Sequence, residues 1–134
     1  MEPTLAVLED NDYSFQTLEG HLHVVLGDSV IIQRAKTVEE AKDIINNGSA
    51  TVIFVDSRLS PGIAPLGQEG AEGLELARMA KAKNQNALVV DFSLNGRVLN
   101  SPDLKLGKTK LGDPLALQQA LTKLCVLIAN QQTR

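Results

Sequence analysis

Five short apolar runs recur along the chain, and each is continuous rather than alternating. The runs are Leu5–Leu8, Val30–Ile32, Val52–Val55, Leu88–Val90 and a weaker one at Leu104–Leu106. Continuous runs of Val, Ile and Leu are typical of strands that are covered on both faces, as in a parallel sheet between two layers of helices. The pattern therefore predicts five buried strands.

The first two segments between these runs have the spacing of amphipathic helices. One apolar stripe consists of Phe15, Leu18, Leu22 and Val25. It follows Asp12, which we expect to be the N-cap, and Gly27 can end the helix. The next helix is predicted on Val38, Ala41 and Ile45. Here Thr37 and Glu40 form a capping-box pattern, and Asn47–Gly48 supplies the stop.

Two further helices follow the third and fifth runs. Residues 71–83 predict one, and the last begins at Asp113–Pro114, a cap residue followed by a proline in the first turn. The buried stripe of this last helix is predicted to be Leu117, Leu121, Leu124 and Ile128, with Leu115 and Val126 on the opposite side. Strands that alternate with helices predict a three-layer α/β domain.

Composition limits the classes of protein to which the chain can belong. Its 134 residues suit a single domain over residues 1–134, and no apolar run is long enough to span a membrane. The N-terminus lacks a signal-peptide pattern, so we expect a cytoplasmic protein. Cys125 is the single cysteine, which excludes an internal disulfide. Aromatic residues make up 3% and the net charge is -3, so nothing indicates nucleic-acid binding.

Charge is distributed unevenly along the chain. Residues 1–75 hold thirteen acidic and four basic residues, whereas residues 76–134 hold three acidic and nine basic ones, giving net charges of -9 and +6. Two differently charged solvated faces would explain this asymmetry, and so would an acidic partner that contacts the basic half.

Acidic residues follow two of the predicted strands. Glu9 and Asp10 come after the first run, and Asp56 comes directly after the third. In α/β sheets the functional site lies beyond the carboxyl ends of the strands, so these three carboxylates would meet if the two strands are neighbours. A few carboxylates with water are typical ligands of Mg²⁺. The sequence therefore predicts a magnesium site at this edge.

Groups that interact with phosphate follow the last two strands. Ser93 supplies a hydroxyl after the fourth run, and Lys108 and Lys110 supply positive charge after the fifth. A cation, a hydroxyl and a lysine around one aspartate suit the formation of an acyl phosphate, with Asp56 as the nucleophile.

The order and spacing of these segments resemble the receiver domains of two-component response regulators. Leu5–Asp12 and Val52–Asp56 are similar to the first and third strands of that family, with its acidic pair and its phosphoacceptor. Lys110–Leu117 resembles the Lys-Pro segment before its last helix, with Leu111 in place of the proline, and Gly73–Leu76 resembles the start of its third helix.

The resemblance implies a flavodoxin-like sheet in the order 2-1-3-4-5 and a defined set of roles. Glu9 and Asp10 would hold Mg²⁺ with Asp56 and the backbone carbonyl of Arg58. Asp56 would accept a phosphoryl group from a histidine kinase or a phosphotransfer protein, and the domain would then signal by contact with a downstream protein. Apart from the resemblance, Leu115 and Val126 on the outer side of the last helix would suit contact with a partner or formation of a homodimer. Ser93 and Lys110 would bind the attached phosphoryl group. The protein would not be an enzyme, apart from slow self-dephosphorylation.

The sequence departs from the receiver pattern at several points. The 57–70 loop is longer than the usual connection, and Leu94 replaces the small residue after Ser93. The Ser93–Lys110 stretch is short, so we expect the family's fourth helix to be reduced or missing. Gly107 stands at the position of the switch aromatic, and Asp91 places a charge in an apolar strand, with Lys108 or Lys110 as its expected partner.

These departures leave two alternatives open. The chain is also consistent with a pseudo-receiver, which would use the same fold purely as a protein-binding module. Gly107–Thr109 looks like the end of a nucleotide-binding loop, but Pro102 stands where that motif requires glycine.

Overall fold

One sheet of five parallel strands organises the molecule. A computed structural model describes residues 3–56, 71–92, 102–107 and 111–132. The strands are β1 (Thr4–Leu8), β2 (Ile31–Ala35), β3 (Val52–Val55), β4 (Leu88–Asp91) and β5 (Leu104–Lys105). Their order in the sheet is β2-β1-β3-β4-β5, and every pairing is parallel. The predicted strand count and the predicted order are both confirmed.

Helices cover both faces of this sheet. They are α1 (Asp12–Leu26), α2 (Val38–Asn47), α3 (Ala71–Lys83) and α4 (Pro114–Gln132). Helices α1 and α4 contribute to a core cluster on one face, and α2 and α3 contribute to a second cluster on the other. The predicted three-layer arrangement is therefore confirmed within the described residues.

The central strands are covered on both faces, as their continuous apolar runs predicted. Every residue of β3 and β4 is buried, and β1 is buried from Leu5 onward. Phe54 and Phe92 meet edge to face in one of the cores, with ring centroids 6.3 Å apart. At the sheet margin, β2 is covered less completely, and the side chain of Ile31 is exposed.

The helix ends follow the local signals in the sequence with one correction. Asn11, not Asp12, is the N-cap of α1, and its side chain accepts a hydrogen bond from Ser14 N. The capping box of Thr37 and Glu40 is present at α2. The Glu40 carboxylate accepts hydrogen bonds from the backbone N–H groups of Lys36 and Thr37, and these bonds hold the pKa of the Glu40 carboxyl below its ordinary value.

Glycine ends α1 and α2 as predicted. Gly27 and Gly48 adopt φ angles of 97° and 77°, which residues with a Cβ atom rarely adopt. On α4, Cys125 is half-buried, and its burial raises the pKa of its thiol. Within the described ranges, no helix combines the length and apolar character needed to cross a bilayer.

Several sequence-based expectations fall outside the described residues. These are the 57–70 loop, Leu94 and the reduction of the receiver family's fourth helix. That family helix would lie between β4 and β5, so it does not correspond to the helix labelled α4 here. The assignment of residues 1–134 to a single domain stays a prediction.

Candidate functional site

Strand register brings the acidic residues of β1 and β3 to the same edge. Leu8 pairs with Val55, so the next residues along the two strands are neighbours. Asp56 N donates to Leu8 O at 3.3 Å, and Glu9 N donates to Ala35 O of β2 at 2.9 Å. Parallel pairing therefore carries Glu9 and Asp56 together at the carboxyl edge of the sheet.

Glu9, Asp10 and Asp56 form an acidic cluster at this edge. Each offers a carboxylate oxygen, and these oxygens lie within 4.8 Å of one another. Glu9 is fully buried, Asp56 is 4% exposed and Asp10 is half-buried. Carboxylates held this close repel one another unless a cation or a proton intervenes. A set of oxygen ligands alone fits a hard divalent cation such as Mg²⁺.

The turn between β1 and α1 fixes the first of these acids. Oε2 of Glu9 accepts a hydrogen bond from Asn11 N at 3.1 Å. Asn11 also caps α1. The same residue therefore determines where the helix starts and orients the Glu9 side chain. The cluster is thus built on a strand end and a helix start rather than on a long loop.

Asp12, the next acid along the chain, has different partners. Its Oδ1 lies 2.7 Å from Arg34 Nη2 and 3.2 Å from Lys36 Nζ. Hydrogen bonding to Arg34, then to Lys36, lowers the pKa of the Asp12 carboxyl, so it remains charged at neutral pH. The structure therefore separates Asp12 from the cluster and places it in an exposed ion-pair network.

Arg34 is a residue of this region that the sequence interpretation missed. Its guanidinium lies 4.5 Å from the centroid of the Phe15 ring, and its Nε donates to Glu9 O at 3.2 Å. The sequence signal is a basic residue that follows the second apolar run and stands next to Ala35. That signal does not reveal which groups the side chain reaches.

A further carboxylate lies on the neighbouring strand. Asp91 ends β4, is fully buried, and is in register with Val55. Its backbone carbonyl accepts a hydrogen bond from Leu106 N at 2.8 Å. The lysines expected to pair with it, Lys108 and Lys110, lie outside the described residues.

Other predicted site residues are also outside the described ranges. These are Ser93, Lys110 and the backbone carbonyl of Arg58, together with Lys108 and Thr109 of the nucleotide-loop alternative. Gly107, at the position of the switch aromatic, is described and is buried. Of the predicted site, the structure thus brings together Glu9, Asp10 and Asp56.

Known proteins resemble this chain in structure rather than in sequence. No protein-family model matches it, and no curated protein matches it. A two-component transcriptional regulator AraC from Clostridium phytofermentans is 17% identical, with a TM-score of 0.67 over 98% of both chains. The non-phosphorylated HemR receiver domain from Leptospira biflexa is 18% identical, with a TM-score of 0.56 over 97% of this chain and 94% of that one.

A third solved structure shares the arrangement. The BeF3-activated DrrB receiver domain, from Thermotoga maritima, is 19% identical, with a TM-score of 0.56 over 92% of this chain and 97% of that one. The chain has the receiver fold. At these identities the likeness is one of fold, and the roles of individual residues depend on the local geometry described above. In the receiver fold of this chain, the acidic cluster occupies the carboxyl edge of β1 and β3.

Proposed function

We propose that residues 1–134 form one receiver-like signalling domain that accepts a phosphoryl group on Asp56. The observation that supports this is the cluster of Glu9, Asp10 and Asp56 at the carboxyl edge of a sheet with receiver topology. Three carboxylates this close are costly without a cation, so their arrangement favours a role in binding one.

In this proposal the side chains have separate tasks. An oxygen of Asp56 attacks phosphorus and forms an O–P bond, while the P–N bond to a donor histidine breaks. The leaving imidazole keeps the electron pair and takes up a proton. Glu9 and Asp10, with Asp56 and the carbonyl of Arg58, would hold Mg²⁺, and the bound cation would supply positive charge that neutralises the phosphoryl oxygens. The Ser93 hydroxyl donates to the attached group, and Lys110 pairs with it.

The proposed partners follow from this chemistry. The donor is a histidine kinase or a phosphotransfer protein in the cytoplasm, and the output is contact with a downstream protein or formation of a homodimer. We propose signalling rather than enzymatic turnover, without binding of nucleic acid. Phosphorylation would change the relative populations of two domain states.

Asp91 gives a specific reason to retain the pseudo-receiver as a second candidate. A fully buried carboxylate in a central strand requires a charged or hydrogen-bonding partner. If Lys110 fills that requirement, it is not available to a phosphoryl group, and the domain acts as a protein-binding module.

The two candidates differ in their reaction with a small phosphodonor. We expect the wild-type chain, incubated with Mg²⁺ and acetyl phosphate, to gain the mass of one phosphoryl group in intact-protein mass spectrometry. Asp56→Asn should abolish this adduct, whereas Asp43→Asn, which changes an exposed acid on α2, should retain it. The absence of an adduct on the wild type would favour the binding module. An adduct that persists in Asp56→Asn would refute the assignment of the phosphoacceptor.

A further inference from the structure

We propose that Arg34 is a positioning residue for the acidic cluster and determines its affinity for a divalent cation. This inference rests on the proposed cation site at Glu9, Asp10 and Asp56. It concerns a strand residue whose side chain contacts the backbone of Glu9 rather than the carboxylates.

Arg34 connects three parts of the structure through a single side chain. Its guanidinium stacks on Phe15, which belongs to the core under α1. Its Nε donates to Glu9 O at 3.2 Å, and its Nη2 donates to Asp12 Oδ1 at 2.7 Å. The side chain is only 19% exposed, so these contacts have a defined geometry. The planar guanidinium suits this combination of stacking and directed hydrogen bonds, which an ammonium group cannot reproduce.

Two neighbouring residues of β2 hold the backbone N–H and the backbone carbonyl of Glu9. Glu9 N donates to Ala35 O at 2.9 Å, and Glu9 O accepts from Arg34. With the peptide groups fixed on both sides, the Glu9 side chain starts from a defined position. Groups that orient metal ligands in this way commonly change metal affinity by about 10- to 100-fold when they are removed.

Charge alone predicts the opposite effect. A guanidinium close to a site for cations repels them, so removal of its charge should strengthen cation binding. If Arg34 acts through geometry, its removal should weaken binding instead. The direction of the change therefore distinguishes positioning from simple electrostatics.

Lys36 provides a matched control for this comparison. It carries the same charge and pairs with the same oxygen, Asp12 Oδ1, at 3.2 Å. Its side chain is 51% exposed and pairs with Asp12 rather than with the carbonyl of Glu9. A substitution of Lys36 thus removes a neighbouring positive charge while the support of Glu9 remains.

The test is a calorimetric titration of the full chain with Mg²⁺ and with Mn²⁺. Arg34→Met keeps an apolar stem on Phe15 but loses the donors, and we expect it to weaken binding by about tenfold or more. Lys36→Met should bind as tightly as the wild type, or more tightly. Arg34→Lys should remain weaker than the wild type, because the amine keeps the charge without the planar donors.

A second set of measurements distinguishes a local effect of the substitution from loss of structure. Circular dichroism without metal should show native secondary structure in each variant, and Arg34→Gln replaces Arg34→Met if the latter does not fold. The amide NMR signals of Glu9 and Asn11 should shift when Mg²⁺ is added to the wild type. In the Arg34 variants, the same shift should require a higher concentration of Mg²⁺.

The possible failures can be told apart. Unchanged or tighter binding in folded Arg34→Met, or wild-type affinity in Arg34→Lys, would overturn the role of Arg34 and leave the proposed function intact. Absence of binding to the wild type would overturn the cation site of the proposed function, and the positioning role with it.

Discussion

Asp103 shows how a single carboxylate can join three elements at the amino edge of the sheet. Its Oδ2 accepts from Val89 N at 2.7 Å and from Lys81 Nζ at 2.8 Å. Lys81 on α3 also donates to Ala87 O at 2.6 Å, next to the start of β4. The residue before β5 therefore attaches both β4 and α3, and its charge is paired rather than clustered with like charges.

Removal of this carboxylate should destabilise the fold. Asp103→Ala leaves Val89 N and Lys81 without this acceptor, so we expect the free energy of unfolding to fall by about 1–3 kcal/mol. Asp103→Asn keeps a carbonyl oxygen for Val89 N and should lose less. Urea unfolding followed by circular dichroism measures both values. Equal losses in the two variants would contradict the importance of the Val89 contact.

At the scale of the element, α4 illustrates how the helical period divides one sequence between core and solvent. Its predicted stripe of Leu117, Leu121, Leu124 and Ile128 is buried as expected. Leu115 and Val126 are 67% and 57% exposed on the other side. Burial of the stripe against the sheet, rather than helix propensity, provides most of the stabilisation.

Two leucines of α4 give a matched comparison of the two faces. Leu121→Ala removes a fully buried side chain and leaves a cavity, so we expect a loss of about 2.7–5 kcal/mol in unfolding free energy. Leu115→Ala changes an exposed position of the same helix and should stay within about 0.5 kcal/mol of the wild type. Chemical denaturation tests the pair, and similar losses in both would show that the exposed face is also packed in solution.

The fold was predictable from sequence wherever a helical period or a continuous apolar run extended over a whole element. Residues 71–83, β3 and the buried stripe of α4 all lie where the sequence placed them. β2 was less predictable: Val30 is buried, yet the strand is Ile31–Ala35 and includes the polar Gln33 and Arg34. An edge strand covered on fewer sides accepts polar residues, so hydrophobicity alone does not locate its ends.

The acidic residues of the candidate site were predictable from the sequence, but the contacts that position them were not. Glu9, Asp10 and Asp56 follow strands directly, so the topology of the sheet determines that they meet. The contacts of Arg34 with Phe15 and Glu9 depend on the path of one long side chain, which spacing along the chain does not encode. Whether Asn11 or Asp12 caps α1 likewise depends on local backbone angles, since both residue types suit the position.

At the scale of the whole molecule, the acidic residues in the described part of the chain are arranged differently at the two edges of the sheet. The amino edge holds the paired Asp103 and Lys81, whereas the carboxyl edge gathers three carboxylates within 4.8 Å. Like charges at that separation oppose folding. A ligand that binds only the folded state and neutralises them should stabilise the protein through linkage.

We therefore expect Mg²⁺ to raise the melting temperature. At one hundred times the dissociation constant, the gain in unfolding free energy would be about 2.7 kcal/mol. The double variant Asp10→Asn and Asp56→Asn should lose this response. Differential scanning calorimetry in MgCl₂ and in NaCl of equal ionic strength separates binding from screening. The same shift in NaCl would count against a specific site.

The pairing of β1 with β3 also has a consequence for how the acidic cluster arises during folding. Leu5 and Val52 are partners in the sheet although all of α1, β2 and α2 lies between them in the chain. Contacts that close such a long segment cost chain entropy before they return any stabilisation, and they slow folding. No short peptide from this sequence contains the whole cluster, so the three carboxylates come together only when β1 and β3 pair across this segment.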